Sequence, residues 1–345
     1  PKHVLEAMRL KYFMSCWAYD SMFKSLYEVL EVFHKAGIKV ILLKGSHLAQ
    51  YVYQEVGVRP MGDIDLLVKK DDLRKAEELL LQMGYNNQHE NAKAGSPQLH
   101  LPTFSHPEGK VYLELHWTIT NTIWEFNIDV KGIWERAKSV KKDGIEMLVF
   151  SLEDLLLYIS LHATYQHRLM TLGLVPFCDI ATIIDHDNHD LDWCKLQARA
   201  HEWGIAKYLY LSLSLSNEIL GTSVPDGTIS AFTSEPSSKK ITSEAIKRIL
   251  FHPHNNLMRK TFFAFQSIFI PHEKMAAYYS LSANSKRIYF YYCIRFFSLP
   301  YRYILYYARF SFYWLTHKKE HVHGDNLDLW LLSADSKKGI FYKIK

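Results

Sequence analysis

The ten residues RPMGDIDLLV at positions 59–68 constrain the fold of this chain more than any other stretch. Ile64, Leu66, Leu67 and Val68 form a partly branched apolar run, the pattern of a strand that wants burial. Asp63 and Asp65 stand inside or against it. Side chains two apart on a strand share a face, so both acids point the same way. A desolvated carboxylate costs several kcal/mol unless it is partnered. Two like charges on one face stay ionised together only with a cation between them. The pair is therefore either a strand end turned to water or a divalent-metal site, and the flanking segments bear on which.

Upstream, apolar residues at helical spacing, including Met22, Leu26, Leu30 and Phe33, predict a helix from about Val4 to Lys35, ended by Gly37. IKVILL (38–43) reads as a buried strand that breaks at Lys44-Gly45-Ser46, and SHLAQYVYQ reads as a helix. Strand, glycine turn and helix together aim backbone N–H groups at an anion. Downstream, DDLRKAEELLLQMGY carries Leu73, Ala76, Leu80 and Met83 on one helical stripe that stops at Gly84. QLHLPTF and KVYLELHW predict two strands around the turn HPEG. In the second, Glu114 and His116 alternate with Leu113 and Leu115.

After about residue 148 the pattern becomes helical. Ser151 caps a helix start, and helices are expected over 152–168, 177–185, 191–203 and 205–220. Residues 221–240 read as a loop, and further helices run to about 317 with breaks at Pro271 and Pro300. The expected class is α+β: a mixed sheet flanked by helices over 1–148, then a mainly helical domain over 149–345. A length of 345 residues suits two cores better than one.

With 48% hydrophobic and 22% charged residues, disorder is excluded. A net charge of +5 and a pI near 8.8 suit a phosphate-bearing ligand without demanding nucleic acid. Cys16, Cys178, Cys194 and Cys293 show no CxxC spacing and read as reduced thiols of a cytoplasmic protein. PKHVLEAMRLKY lacks the apolar core of a secretory leader. DHDNHDLDW (185–193), HPH (252–254) and HVH (321–323) read as polar loops, since 18 histidines produce such clusters by chance. In the segment 286–314, Arg295, Arg302 and Arg309 recur every seven residues among aromatics. A packed helix pair with a solvated arginine face is preferred there over an acceptor-binding surface or an interfacial membrane contact. Its charges exclude a transmembrane span.

The stretch LLKGSHLAQYVYQEVGVRPMGDIDLLV, followed by LELHW (113–117), LHATYQH and Asp179, resembles the DNA polymerase β-like nucleotidyltransferase superfamily. It is most similar to the poorly characterised bacterial nucleotidyltransferases with a KG…R…DIDLLV signature, and also resembles the abortive-infection and toxin nucleotidyltransferases. The resemblance implies a nucleotidyltransferase catalytic domain followed by a helical substrate-binding domain. It makes Asp63, Asp65 and Glu114 the catalytic, metal-holding carboxylates. Lys44, Gly45, Ser46 and Arg59 become the nucleotide-binding residues. His116, His162 and His167 become candidate walls of the acceptor pocket, with Asp179 pairing a basic group of the 162–168 segment. The implied cofactor is Mg²⁺, as two ions with Mn²⁺ an acceptable substitute, and the co-substrate is a nucleoside triphosphate.

The expected reaction moves a nucleoside monophosphate to a small-molecule, peptide or metabolite acceptor and releases pyrophosphate. Transfer to tRNA or protein, phosphoryl transfer, and a non-catalytic nucleotide-binding regulator remain as alternatives, and nucleic acid is the less favoured partner.

Overall fold

The computed structural model describes residues 2–251 apart from 54, 88–98, 110, 121–125, 143, 170–171, 188–189 and 233–237, together with 285, 287–293, 327 and 330. Seven strands are hydrogen-bonded in the order β3-β4-β5-β2-β1-β7-β6. They are β1 (Val40–Leu42), β2 (Ile64–Val68), β3 (Asn86–Asn87), β4 (Phe104–Ser105), β5 (Tyr112–His116), β6 (Lys138–Lys142) and β7 (Ile145–Val149). β1 runs antiparallel to β2 and parallel to β7, while β2 runs parallel to β5. The sheet is mixed, and its central strands are the apolar ones: every residue of β1 and β2 is buried.

Strand alternation divides the interior into two layers. Ile64, Leu66, Val68, Leu113 and Leu115 face a core shared with α1 (Lys2–Lys35) and α3 (Leu73–Gln82). The buried stripe of α1 is Met22, Phe23, Leu26, Val29, Leu30 and Phe33, a period that only a helix lays on one side. Ile41 and Leu67 face the opposite core, built from α5 (Leu152–Leu161), α6 (Val175–Asp187), α7 (Trp193–Glu202), α8 (Ala206–Leu220) and α9 (Ser238–Phe251). Two shorter helices, α2 (Lys44–Tyr51) and α4 (Val130–Arg136), lie between the strands. The Ser151 side chain accepts from the Asp154 amide at 3.2 Å, the cap that its position announces. From there α5 is buried along nearly its whole length, so it forms the floor between sheet and helical layer.

Several expectations need correction. α2 starts at Lys44, not after the Lys-Gly-Ser break, so Gly45 and Ser46 lie in its first turn. QLHLPTF yields β4 and an isolated bridge between His100 and His116; Pro102 stands between the two and has no N–H to give a ladder. The β6–β7 hairpin went unread, although Asp143-Gly144 is a hairpin signal and Gly144 takes φ +83. Within 221–240, a 3₁₀ turn spans Ile229–Phe232, Phe232 is buried, and α9 already begins at Ser238. His189, HPH (252–254), Pro271, Pro300, HVH (321–323), Arg295, Arg302 and Arg309 lie outside the described residues. Among those described, no helix is long and apolar enough to cross a membrane, and all four cysteines are unbridged.

Candidate active site

The parallel register of β2 and β5 sets Asp65 directly beside Glu114. Both project toward the helical layer, because their neighbours Ile64, Leu66, Leu113 and Leu115 fill the other core. Asp63 precedes β2 by one residue and lines the same cavity. This cavity, of about 760 Å³, also brings together Lys44, Gly45, Arg59, His100, His116, His162 and His167. Ser46 is not part of its wall. That side chain is 1% exposed, and its Oγ has no hydrogen-bond partner among the described residues. A larger cavity of about 1060 Å³ lies at the other ends of these strands, by Lys39, Lys69 and Trp117; Asp71, Glu135 and Glu146 line it but do not converge as a ligand group among the described residues.

Asp65 is the electrostatic centre. Its Oδ1 accepts from Lys44 Nζ at 3.0 Å and from His116 Nε2 at 2.9 Å. Burial pushes its carboxyl up, but Lys44 and His116 prevail and hold it well below the usual carboxylate range. His116, fully buried, also lies 3.4 Å from Glu114 Oε2. A ring nitrogen facing two carboxylate oxygens carries the proton. Thr103 donates to Glu114 Oε1 at 3.0 Å. Burial opposes ionisation of Glu114, but the His116 hydrogen bond together with the charges of His100 and His116 prevails, so its carboxyl sits below its ordinary value. Asp63 behaves oppositely: burial, reinforced by the Asp65 charge, pushes it up to about 6.

These features fit a divalent cation. Three acids converge, one of them is raised by burial and its neighbour's charge, and Asp65 Oδ2 has no hydrogen-bond partner among the described residues. Asp65 and Glu114 each offer a carboxylate oxygen within 4.8 Å of the other. Oxygen donors of this kind suit a hard ion. Asp63, Asp65 and Glu114 would hold it.

Lys44 opens α2 with φ +37. Gly45 follows it in the helix and lines the cavity. Its φ is ordinary, but a Cβ there would lie 2.9 Å from Met61 Cγ, so the glycine lets the loop before β2 close over the helix start.

Arg59 lines the cavity too, and its guanidinium is engaged beyond it. Its Nε and Nη2 each bond an oxygen of Asp179 at 2.8 Å, a bidentate pair, and Tyr53 donates to the same carboxylate at 2.9 Å. Burial works against the guanidinium charge, yet Asp179 more than restores it. Asp179 therefore ties α6 to the loop ahead of β2 rather than pairing with the 162–168 segment.

That segment forms the facing wall. α5 gives way to a π-turn over His162–Gln166, a distortion that often accompanies functional sites. His162 Nε2 and His167 Nε2 stand 3.1 Å apart. Burial first, and Lys44 second, push both imidazoles below their ordinary value, so both are neutral near pH 7. The sequence reading passed over two contributors. His100 approaches Glu114 at 3.6 Å; the alternation of Leu99, His100 and Leu101 was the signal for it. Tyr53, which grips Asp179, had no signal.

The model of a family described as uncharacterised nucleotidyltransferase matches residues 1–221. The chain belongs to this nucleotidyltransferase family. The match covers every carboxylate and cation described above and extends through α8. No curated protein matched the sequence. Among solved structures, an antigenic nucleotidyltransferase-like protein from Paracoccidioides brasiliensis aligns with 14% identity and a TM-score of 0.37, covering 61% of this chain and 93% of that one. The nucleotidyltransferase assignment rests on the family match.

Proposed function

We propose that the protein is a Mg²⁺-dependent enzyme that transfers a nucleoside monophosphate from a nucleoside triphosphate to a small-molecule, peptide or metabolite acceptor. One observation carries this reading: Asp63, Asp65 and Glu114 open into one cavity beside Lys44. A divalent cation held by these acids would supply charge stabilisation to the oxygens of the reacting α-phosphate. Lys44 meets the triphosphate as a point charge, while Arg59, already paired with Asp179, shapes that end of the cavity.

An acceptor oxygen forms the new bond to the α-phosphorus, the α–β phosphoanhydride bond breaks, and pyrophosphate leaves with its electron pair. Glu114, ionised and oriented by Thr103 and His116, lies where it takes the acceptor proton. The acceptor enters along His162 and His167. A volume near 760 Å³ lies in the range of small-ligand sites, which supports a compact acceptor over RNA.

The test is a parallel incubation with α-labelled and γ-labelled triphosphates of each base. Label transferred from the α position, with γ label leaving as pyrophosphate, supports the proposal and names the base. Transfer of γ label instead makes the protein a kinase.

A further inference from the structure

Lys44 combines two features that the reaction alone does not require. It holds a left-handed backbone, φ +37, which lysine rarely adopts and which costs energy that its surroundings must offset. It also places its ammonium 3.0 Å from Asp65 Oδ1, with the two side chains 17% and 2% exposed. In such an interior an ammonium on a ligand carboxylate repels any second cation seeking the same group.

We infer that Lys44 is the resting counter-ion of Asp65 and couples cation loading to nucleotide loading. Until a triphosphate arrives, the ammonium neutralises Asp65 and keeps divalent-cation affinity low. The triphosphate offers the ammonium a second anionic partner, and the flexible four-carbon stem lets it move between them. Cation and triphosphate thereby bind with positive coupling, and the carboxylates are spared occupation by a cation without substrate. The inference rests on the reading of Asp63, Asp65 and Glu114 as cation ligands.

The test measures two equilibria without turnover: Mn²⁺ binding by electron paramagnetic resonance of the free ion, and binding of inorganic triphosphate without metal by calorimetry. Lys44→Met should bind Mn²⁺ at least fivefold more tightly than the parent and triphosphate at least fivefold more weakly. A lysine serving only to hold the fold would weaken both. Lys44→Gly removes the ammonium while relaxing the left-handed backbone, so it must show the same opposed changes if Lys44→Met folds poorly. Unchanged or weaker Mn²⁺ binding in the folded variant overturns the counter-ion role and leaves the cation site standing. If neither the parent nor Lys44→Met binds Mn²⁺, or if Asp65→Asn binds it as tightly as Lys44→Met, the cation-site reading fails and the counter-ion role fails with it.

Discussion

Arg59 is 14% exposed at its side chain, and Asp179 2%, so neither charge has water to fall back on. Removing one partner of such a pair strands the other, which is costlier than never having built the pair. Asp179→Ala should therefore lower unfolding free energy by about 3 kcal/mol, measured by urea denaturation. His47 makes a second residue-scale prediction. It is 4% exposed, and burial pushes its pKa down to about 3. The unfolded chain takes up that proton near pH 6.5, while the folded chain refuses it. Stability present above pH 6.5 is thus lost as the pH falls toward 3. Between pH 7 and pH 4 the His47 contribution should be roughly 3 kcal/mol, and the difference between parent and His47→Leu unfolding curves measures it.

At the scale of elements, the register of β2 on β5 turns two separate sequence motifs into one site, since Asp65 and Glu114 are paired neighbours. The loop ahead of β2 matters equally, because it packs Met61 against Gly45. Gly45→Ala should push that loop outward. The expected result is a KM for the triphosphate raised several-fold, with a thermal midpoint changed by little, read from paired kinetics and melting curves. Much of this level was legible beforehand. Acids embedded in DIDLLV and the alternation in LELHW are local patterns, and they located the strands, their shared face and the converging carboxylates. What escaped depends on pairings distant in sequence. Neither Arg59 nor Asp179 carries a local sign of its partner 120 residues away, so the tie between the loop ahead of β2 and α6 was not legible. The β6–β7 hairpin escaped for another reason. Its outer strand, Lys138–Lys142, is exposed and charged, and lacks the apolar period that marks the inner ones.

For the whole molecule, the consequence is a cavity whose two walls come from different layers. The sheet supplies Asp65, Glu114 and His116, and the end of α5 with its π-turn supplies His162 and His167. Both belong to the segment 1–221 that the nucleotidyltransferase family spans. The measurement that bears most directly on the central claim is mass spectrometry of candidate acceptors after incubation with Mg²⁺ and each triphosphate. The parent is compared with Asp63→Asn and Asp65→Asn, and pyrophosphate is quantified in the same samples. A gain of one nucleoside monophosphate per acceptor, matched by pyrophosphate and reduced at least a hundredfold in either variant, is the predicted result. Transfer that survives both substitutions would contradict the assignment of the chemistry to these carboxylates.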